Sequence, residues 1–181
     1  GIFEGMFDSC VAEKYGTNTQ PCFLADNTSG GTTSSMTYLN CNARGGRNGL
    51  RIEGYGDVYV FGGAWLEAYG NGLYLGSNNG VVIGAHVENN CGGVAGVSGE
   101  LYADAGILLS GAGYLAGCQL NASNPATPQK YLYNVYAAGH VIIEGGRIAS
   151  TITNSEVALI RGLDIAGVHV TANVASATVQ A

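Results

Sequence analysis

The chain has 181 residues, enough for one ordinary domain, and its 13 acidic residues outnumber its 7 Lys and Arg residues to give a net charge of −6. The basic residues are scattered, which excludes the clustered positive charge that nucleic acid and anionic membrane surfaces require. No apolar run approaches the roughly 18 residues of a transmembrane helix. We therefore expect no nucleic-acid partner and no membrane insertion.

Glycine supplies 30 residues and proline only 3, so the chain turns often without the composition of a Pro-rich linker. Charged residues make up 11%, against about 25% in typical domains, which favours an exterior of neutral hydrogen-bonding side chains. Helical periodicity is almost absent and glycine interrupts nearly every apolar run, so short strands are predicted. Because the chain begins at Gly1 without a signal-peptide pattern, we expect an internal fragment of a longer protein or a processed product.

Short strand patterns recur along the chain at similar offsets. FGGAWLEA (61–68) resembles VIGAHVEN (82–89), with Ala64 aligned to Ala85, 21 residues later. NGLRI (48–52) resembles NGLYL (71–75) at an offset of 23 residues. Offsets of about 20–50 residues are typical of solenoids, in which one short unit stacks on the next.

Seven short segments of one pattern align in chain order, with mostly small or apolar residues at their second and fourth positions. They are SCVAE (9–13), NCNAR (40–44), GAWLE (63–67), GAHVE (84–88), GCQLN (117–121), GGRIA (145–149) and GLDIA (162–166). Alternate side chains of a strand face opposite sides, so the second and fourth positions are predicted to face inward and the third and fifth outward. This alignment predicts Leu66 inside with Val87, and Trp65 outside with His86.

We predict an all-β chain folded as a right-handed, single-stranded parallel β-helix of about seven rungs, with residues 1–181 in one domain. Irregular steps between the segments place insertions near 91–105 and 124–136. An antiparallel sandwich is the competing fold, because it is also Gly-rich with short strands. It is disfavoured because a sandwich has no reason to repeat at a near-constant offset.

Four segments resemble the pectate-lyase-like right-handed parallel β-helix superfamily, and within it the tailspikes of bacteriophages. They are FDSCVAE (7–13), YLNCNAR (38–44), GAWLEAYGNGLYL (63–75) and GAHVENN (84–90). The resemblance implies a homotrimer at the tip of a phage tail, an extracellular part of the virion. It also implies a partner, a bacterial surface polysaccharide, which many such proteins cleave with paired carboxylates. These are structural motifs, so they assign no catalytic positions.

Two glutamates at the ends of neighbouring segments, Glu67 and Glu88, are the predicted catalytic pair. Stacked one strand apart, their carboxyl groups would lie near the separation of about 5–5.5 Å that retaining glycosidases use. The same alignment sets Trp65 over His86 beside them, which offers a sugar a stacking face and a proton carrier. The structural alternative is a glutamate that hydrogen-bonds a corner and a tryptophan that shields it.

A second outward pair, Arg51 over Tyr74, is predicted to bind an acidic sugar. Its structural alternative is a solvated arginine packed on a ring. The histidines lack metal-ligand spacing, and we expect no metal and no cofactor. Cys10 and Cys41 are predicted to face inward on neighbouring rungs as thiols that fill apolar space.

The sequence therefore predicts a trimeric phage tailspike fragment that recognises a bacterial surface polysaccharide and depolymerises it if the carboxylate pair is catalytic. One alternative is a secreted bacterial polysaccharide lyase or hydrolase of the same fold. A lyase usually requires a basic group beside its base, and basic residues are scarce. The other alternative is a non-catalytic structural spacer in a fibre.

Overall fold

The computed structural model describes residues 4–14, 20–26, 35–68, 70–88, 90, 105–122, 132–137, 139–150, 155–160, 163–166, 169–172 and 179–180. Within these ranges the chain forms nineteen strands and no helix. The strands are β1 Glu4–Asp8, β2 Val11–Lys14, β3 Phe23–Asp26, β4 Ser35–Leu39, β5 Asn42–Gly45, β6 Leu50–Phe61, β7 Ala64–Leu66, β8 Leu73–Ile83, β9 His86–Glu88, β10 Ala105–Leu109, β11 Ala112–Ala116, β12 Gln119–Ala122, β13 Leu132–Ala137, β14 Val141–Glu144, β15 Arg147–Ser150, β16 Ser155–Ile160, β17 Leu163–Ala166, β18 His169–Ala172 and β19 Val179–Gln180. Every strand pair among them is parallel, so the all-β, parallel part of the predicted fold is confirmed.

The strand pairings form three stacks. Stack 1 contains β3, β10, β13, β16, β19 and the first parts of β6 and β8, 50–53 and 73–76. Stack 2 contains β1, β4, β11, β14, β17 and the later parts of β6 and β8, 57–61 and 79–83. Stack 3 is a seven-stranded sheet of β2, β5, β7, β9, β12, β15 and β18. From β3 onward, successive strands or strand parts belong to stack 1, stack 2 and stack 3 in that order, and this order repeats.

A repeated corner turns the chain from stack 2 into stack 3. The first corner residue has a positive φ on six successive passes, at Ser9, Asn40, Gly62, Gly84, Gly117 and Gly145. Its backbone N–H donates to the last residue of the next stack 2 strand, as in Gly62 to Ile83 O at 2.7 Å. Glycine adopts this left-handed conformation without steric cost, which explains its place at most of the corners.

The inward residues of all three stacks form one hydrophobic cluster. Leu50 and Leu73 from stack 1, Val60 from stack 2, and Trp65 and Val87 from stack 3 all belong to it. Strand β8 shows the underlying pattern, because buried residues alternate with half-buried or exposed ones along most of its length. Burying such side chains contributes about 1.5–3 kcal/mol each relative to leaving them exposed.

Aromatic side chains fill the core near the first strands. Phe7 stacks on Tyr38 with ring centroids 5.1 Å apart, and Trp65 meets the edges of Phe23 and Tyr38 at 6.0 and 6.4 Å. Edge-to-face and offset contacts of this kind contribute about 0.5–1.5 kcal/mol beyond simple burial. This cluster ties the three stacks together at this end of the fold.

Three buried asparagines lie at the turns that lead from stack 3 into stack 1. Asn48 Nδ2 donates to Asn71 Oδ1 at 3.4 Å. Asn90 accepts from Ala68 N and donates to Trp65 O, both at 2.9 Å. These amides supply the hydrogen bonds that buried turn backbone requires. Asn48 Oδ1 is the exception, because it has no partner among the described atoms.

The predicted facing of Trp65 and Leu66 is wrong, and the two are interchanged. Strand β7 pairs Ala64 with His86 and Trp65 with Val87, which is an offset of 22 residues instead of 21. Trp65 therefore occupies the inward column and is fully buried, whereas Leu66 faces outward and is half-buried. The inward column in stack 3 reads Ala12, Ala43, Trp65, Val87 and Leu120 by register.

Six of the seven aligned segments lie in stack 3 as predicted, and the seventh does not. Leu163 pairs with Val141, so GLDIA belongs to stack 2, and β18 takes its place in stack 3. Of the second predicted insertion, 132–136 lies in strand β13, while residues 91–104 and 123–131 are outside the described residues. Cys10 and Cys41 are free thiols that directly precede the paired strands β2 and β5, and their prediction as thiols is confirmed.

Candidate functional site

The outward face of stack 3 carries two columns of side chains. In each strand, one column takes the residue just before the inward residue and the other takes the residue just after it. The first column reads Val11, Asn42, Ala64, His86, Gln119 and Arg147. The second reads Glu13, Arg44, Leu66, Glu88 and Asn121. Neighbouring strands lie about 4.8 Å apart, so side chains repeat along each column at that spacing.

His86, Glu88 and Asn121 form the most connected polar cluster on this face. His86 and Glu88 are two residues apart in β9 and therefore point the same way, with His86 Nε2 2.8 Å from Glu88 Oε2. Asn121, on β12, donates from Nδ2 to Glu88 Oε1 at 3.3 Å. The side chains of His86 and Glu88 are 41% and 28% exposed, so a ligand on the surface can reach both. We call these three residues the His86 cluster.

The His86 cluster has the groups that acid–base chemistry requires. Both carboxylate oxygens of Glu88 are held by a donor, which fixes the orientation of the group. An imidazole in hydrogen-bond contact with a carboxylate can pass a proton between that carboxylate and a substrate. The Asn121 amide adds a neutral donor that a sugar hydroxyl can also use.

The predicted stacking of Glu67 on Glu88 does not form. The strand partner of Glu88 is Leu66, and Glu67 follows the strand with a φ of 54°. Glu67 instead accepts two hydrogen bonds from Arg44, Nε to Oε2 at 2.8 Å and Nη2 to Oε1 at 3.0 Å. The one-residue shift of β7 causes this change, because it turns Glu67 towards the arginine of the preceding strand.

Trp65 cannot offer a sugar a stacking face, because none of its surface is exposed. Its indole Nε1 donates to Gly62 O at 3.4 Å inside the corner, and its backbone carbonyl accepts from Asn90. The residue that lies over His86 in the neighbouring strand is Ala64. The small side chain of Ala64 leaves the imidazole open on that side.

Arg51 and Tyr74 are strand partners in stack 1, and their predicted adjacency is confirmed. The guanidinium carbon lies 5.2 Å from the centroid of the Tyr74 ring, within the range of a cation–π contact. Arg51 Nη2 also contacts Glu53 Oε1 at 2.7 Å, with both side chains about one quarter exposed, 23% each. Since the guanidinium already holds a ring and a carboxylate, this arrangement favours a structural role. Binding of an acidic sugar there stays a prediction.

Sequence reasoning missed an outward face on stack 2. Tyr59 and Phe61 lie with parallel rings, 6.3 Å between centroids, and Asn79 Nδ2 donates to Asp57 Oδ1 at 2.9 Å. The signal in the sequence is the alternation of DVYVF (57–61), whose first, third and fifth residues share a face.

Among the described residues, no group of three or more His, Cys, Asp or Glu side chains is arranged to hold a metal ion. Over the same ranges there is no helix with the length and apolarity needed to cross a membrane. No protein family, curated protein or solved structure matches this chain.

Proposed function

We propose that the chain is a segment of a right-handed parallel β-helix from a bacteriophage tailspike, and that it binds a bacterial surface polysaccharide. The observation that carries the proposal is a polar ladder on the outward face of stack 3, which consists of His86, Gln119 and Arg147 in one column and Glu88 and Asn121 in the other. A polysaccharide is an extended ligand with hydroxyl groups at regular intervals. A row of donors and acceptors about 4.8 Å apart is suited to such a ligand.

The closed coil is supported by the order in which strands recur. From β3 the chain returns to stack 1 each time it leaves stack 3, and strands within each stack pair in parallel. Inward side chains of the three stacks share one core, which is the arrangement expected if the stacks surround it. Parallel strands joined by a crossover are right-handed in about 98% of known cases, which favours a right-handed coil.

We extend the proposal to a homotrimer on the phage tail, as the resemblance implies. Large apolar side chains are exposed on the first strand of each stack, at Met6, Val11 and Leu24. These residues lie on three different stacks, so the trimer is supported by the resemblance and not by a single apolar patch. Sedimentation equilibrium tests the trimer, since it predicts three times the chain mass of 18.5 kDa.

The His86–Glu88 pair supports a second candidate function, cleavage of the bound polysaccharide. Glu88 is the carboxylate that a sugar on the polar ladder would meet, and His86 is the group beside it that can carry a proton. Glu67, the other predicted catalytic residue, is neutralised by Arg44, so its role in a catalytic pair is disfavoured. In this proposal one carboxylate and one imidazole act together.

The test uses a panel of bacterial capsular and lipopolysaccharide glycans, with binding and new reducing ends measured on the same samples. We expect at least one glycan to bind, and Glu88→Gln and His86→Ala to weaken that binding. Glu67→Gln is the matched control, because it alters a carboxylate on the same face outside the cluster. New reducing ends that disappear in Glu88→Gln identify the hydrolase.

Two results would favour the alternatives. Unsaturated sugar products in place of simple hydrolysis would point to a lyase. A folded chain that binds none of the glycans would leave the structural spacer as the better account and would refute the proposal.

A further inference from the structure

The outward face of stack 2 differs in character from the face that carries the His86 cluster. We call two of its outward columns the stack 2 strip. One column contains Met6, Thr37, Tyr59, Val81, Tyr114 and Ile142, and the other contains Asp8, Leu39, Phe61, Ile83, Ala116 and Glu144. Most of these side chains are apolar or aromatic, and all are at least partly exposed.

Two aromatic rings lie side by side at the centre of the strip. Tyr59 and Phe61 are two residues apart in β6, so both side chains leave the same face of the sheet. Their ring planes are 8° from parallel and their centroids are 6.3 Å apart. Val81 and Ile83 are their partners on the next strand and extend the same apolar surface. Both residues are partly exposed, so a ligand on the surface can reach them.

Both edges of the strip are polar, and the charges there are negative. Asp57 accepts from Asn79 Nδ2 at 2.9 Å at one edge. Tyr114 donates its hydroxyl to Glu144 Oε2 at 2.6 Å at the other. Neither column holds a Lys, Arg or His residue. Since neither column supplies a cation, these carboxylates disfavour anionic ligands, so uronic acids and phosphorylated sugars do not suit this surface.

The size of the strip argues against a protein partner. It crosses the six strands β1, β4, β6, β8, β11 and β14, five gaps of about 4.8 Å, so it is roughly 24 Å long. Two outward positions along a strand make it roughly 10–13 Å wide, an area on the order of 300 Å². A stable protein interface buries about 800 Å² on each partner. An area of this size fits a ligand of a few sugar units.

We propose that the stack 2 strip is a second glycan-binding surface, separate from the His86 cluster, that takes uncharged pyranose units. It rests on the proposed function, because both surfaces would serve one bacterial polysaccharide. The C–H face of a pyranose packs on the rings of Tyr59 and Phe61, because both surfaces are apolar and flat. Its hydroxyl groups at the rim donate to the carboxylates of Asp57 and Glu144 and accept from the amide of Asn79.

The experiment titrates the chain with short oligosaccharides prepared from a glycan that binds, one set neutral and one set containing uronic acid. Nuclear magnetic resonance follows the ring signals of Tyr59 and Phe61 and the imidazole signals of His86. We expect neutral oligosaccharides to shift the two ring signals. Phe61→Leu keeps an apolar side chain and removes the ring, and we expect it to weaken neutral binding by up to about tenfold.

His86→Ala is the matched control, and it is expected to leave the ring shifts unchanged. If the oligosaccharides shift the His86 signals but not the ring signals, the proposal of a second surface is refuted and the proposed function is not. Unchanged affinity in a folded Phe61→Leu protein would also overturn the second surface. A change of oligomeric state in Phe61→Leu would show that the strip joins copies of the chain, and would overturn it too. If no glycan binds at all, both proposals fail.

Discussion

Replacing Trp65 by alanine is expected to destabilise the fold strongly, while Leu66→Ala, one residue away, is expected to change little. Trp65 is fully buried, contacts Phe23 and Tyr38 edge-on, and its indole donates to Gly62 O. Truncating a buried tryptophan typically costs about 3–5 kcal/mol, because apolar contacts are lost and a cavity remains. Leu66 is half-buried on the outer face, so its truncation is expected to cost about 1 kcal/mol or less.

Thermal unfolding followed by circular dichroism separates the two variants. For a domain of this size about 1 kcal/mol lowers the midpoint by roughly 2–4 °C, so Trp65→Ala is expected to lower it by roughly 6–20 °C. Leu66→Ala is expected to lower it by no more than about 4 °C. Trp65→Phe serves as a control, because it keeps an aromatic ring in the column and should recover part of the loss. Equal losses in the two alanine variants, or a larger loss in Leu66→Ala, would refute the register of β7.

Three further predictions concern other parts of the fold. Pro21 is buried and lies beside Asn48 by register, so Pro21→Asn is expected to raise the melting midpoint by giving Asn48 Oδ1 a donor. A hydrogen bond to Asn48 Oδ1 should contribute about 1–3 kcal/mol to stability, more than the loss of about 0.4–1 kcal/mol when proline is replaced. Pro21→Ala loses the proline without supplying a donor, so it should lower the midpoint. Burial raises the pKa of the Cys41 thiol, so its alkylation in the folded protein should begin at higher pH than that of a free cysteine. Mass spectrometry after denaturation should then show Cys10 and Cys41 both modified, and a missing pair of labels would indicate a disulfide. Glu67→Gln should change the melting midpoint by only a few degrees, because its exposed ion pair contributes about 0–1 kcal/mol.

The class of fold could be predicted from the sequence because the inward columns are apolar over many repeats. Ala43, Val87 and Leu120 are buried and lie in one column, as alternation predicts. Each repeat buries the same face against its neighbours, so the pattern recurs wherever a strand recurs. A local error in one segment does not erase such a signal.

The register of β7 could not be predicted from alternation, because Trp65 and Leu66 are both apolar and either could face inward. The alignment of Ala64 with Ala85 therefore differs by one residue from the register in the structure, in which Ala64 pairs with His86. In the structure Gly63 takes the small inward position beside Ala85, with a φ of 80° and with Cys41 O where a Cβ would stand. Only a residue without a Cβ fits there, and that backbone requirement is invisible to a pattern of apolar residues.

A pattern of apolar residues also fails to place GLDIA (162–166), which it aligns with the six segments of stack 3. This segment shares the spacing of isoleucine and alanine with GGRIA (145–149), although it lies in stack 2. Strands of both stacks have one inward face and one outward face, so their patterns are alike. Which stack a strand joins depends on the corner before it and on its pairing partner.

The candidate site was predicted in part. His86 and Glu88 share an outward face because they are two residues apart, which alternation alone predicts. Their contact with each other and with Asn121 depends on side-chain conformations and on the pairing of β9 with β12. The pairing of Glu67 with Arg44 depends on the positive φ at Glu67, which no sequence pattern indicated.

The most direct test of the proposed function is a crystal structure of the chain with an oligosaccharide from the glycan that it binds most tightly. The account predicts that sugar units lie across β9 and β12, with hydroxyl groups within hydrogen-bond distance of His86 and Glu88. A tightly bound oligosaccharide that contacts neither residue, and no other outward residue of stack 3, would contradict it.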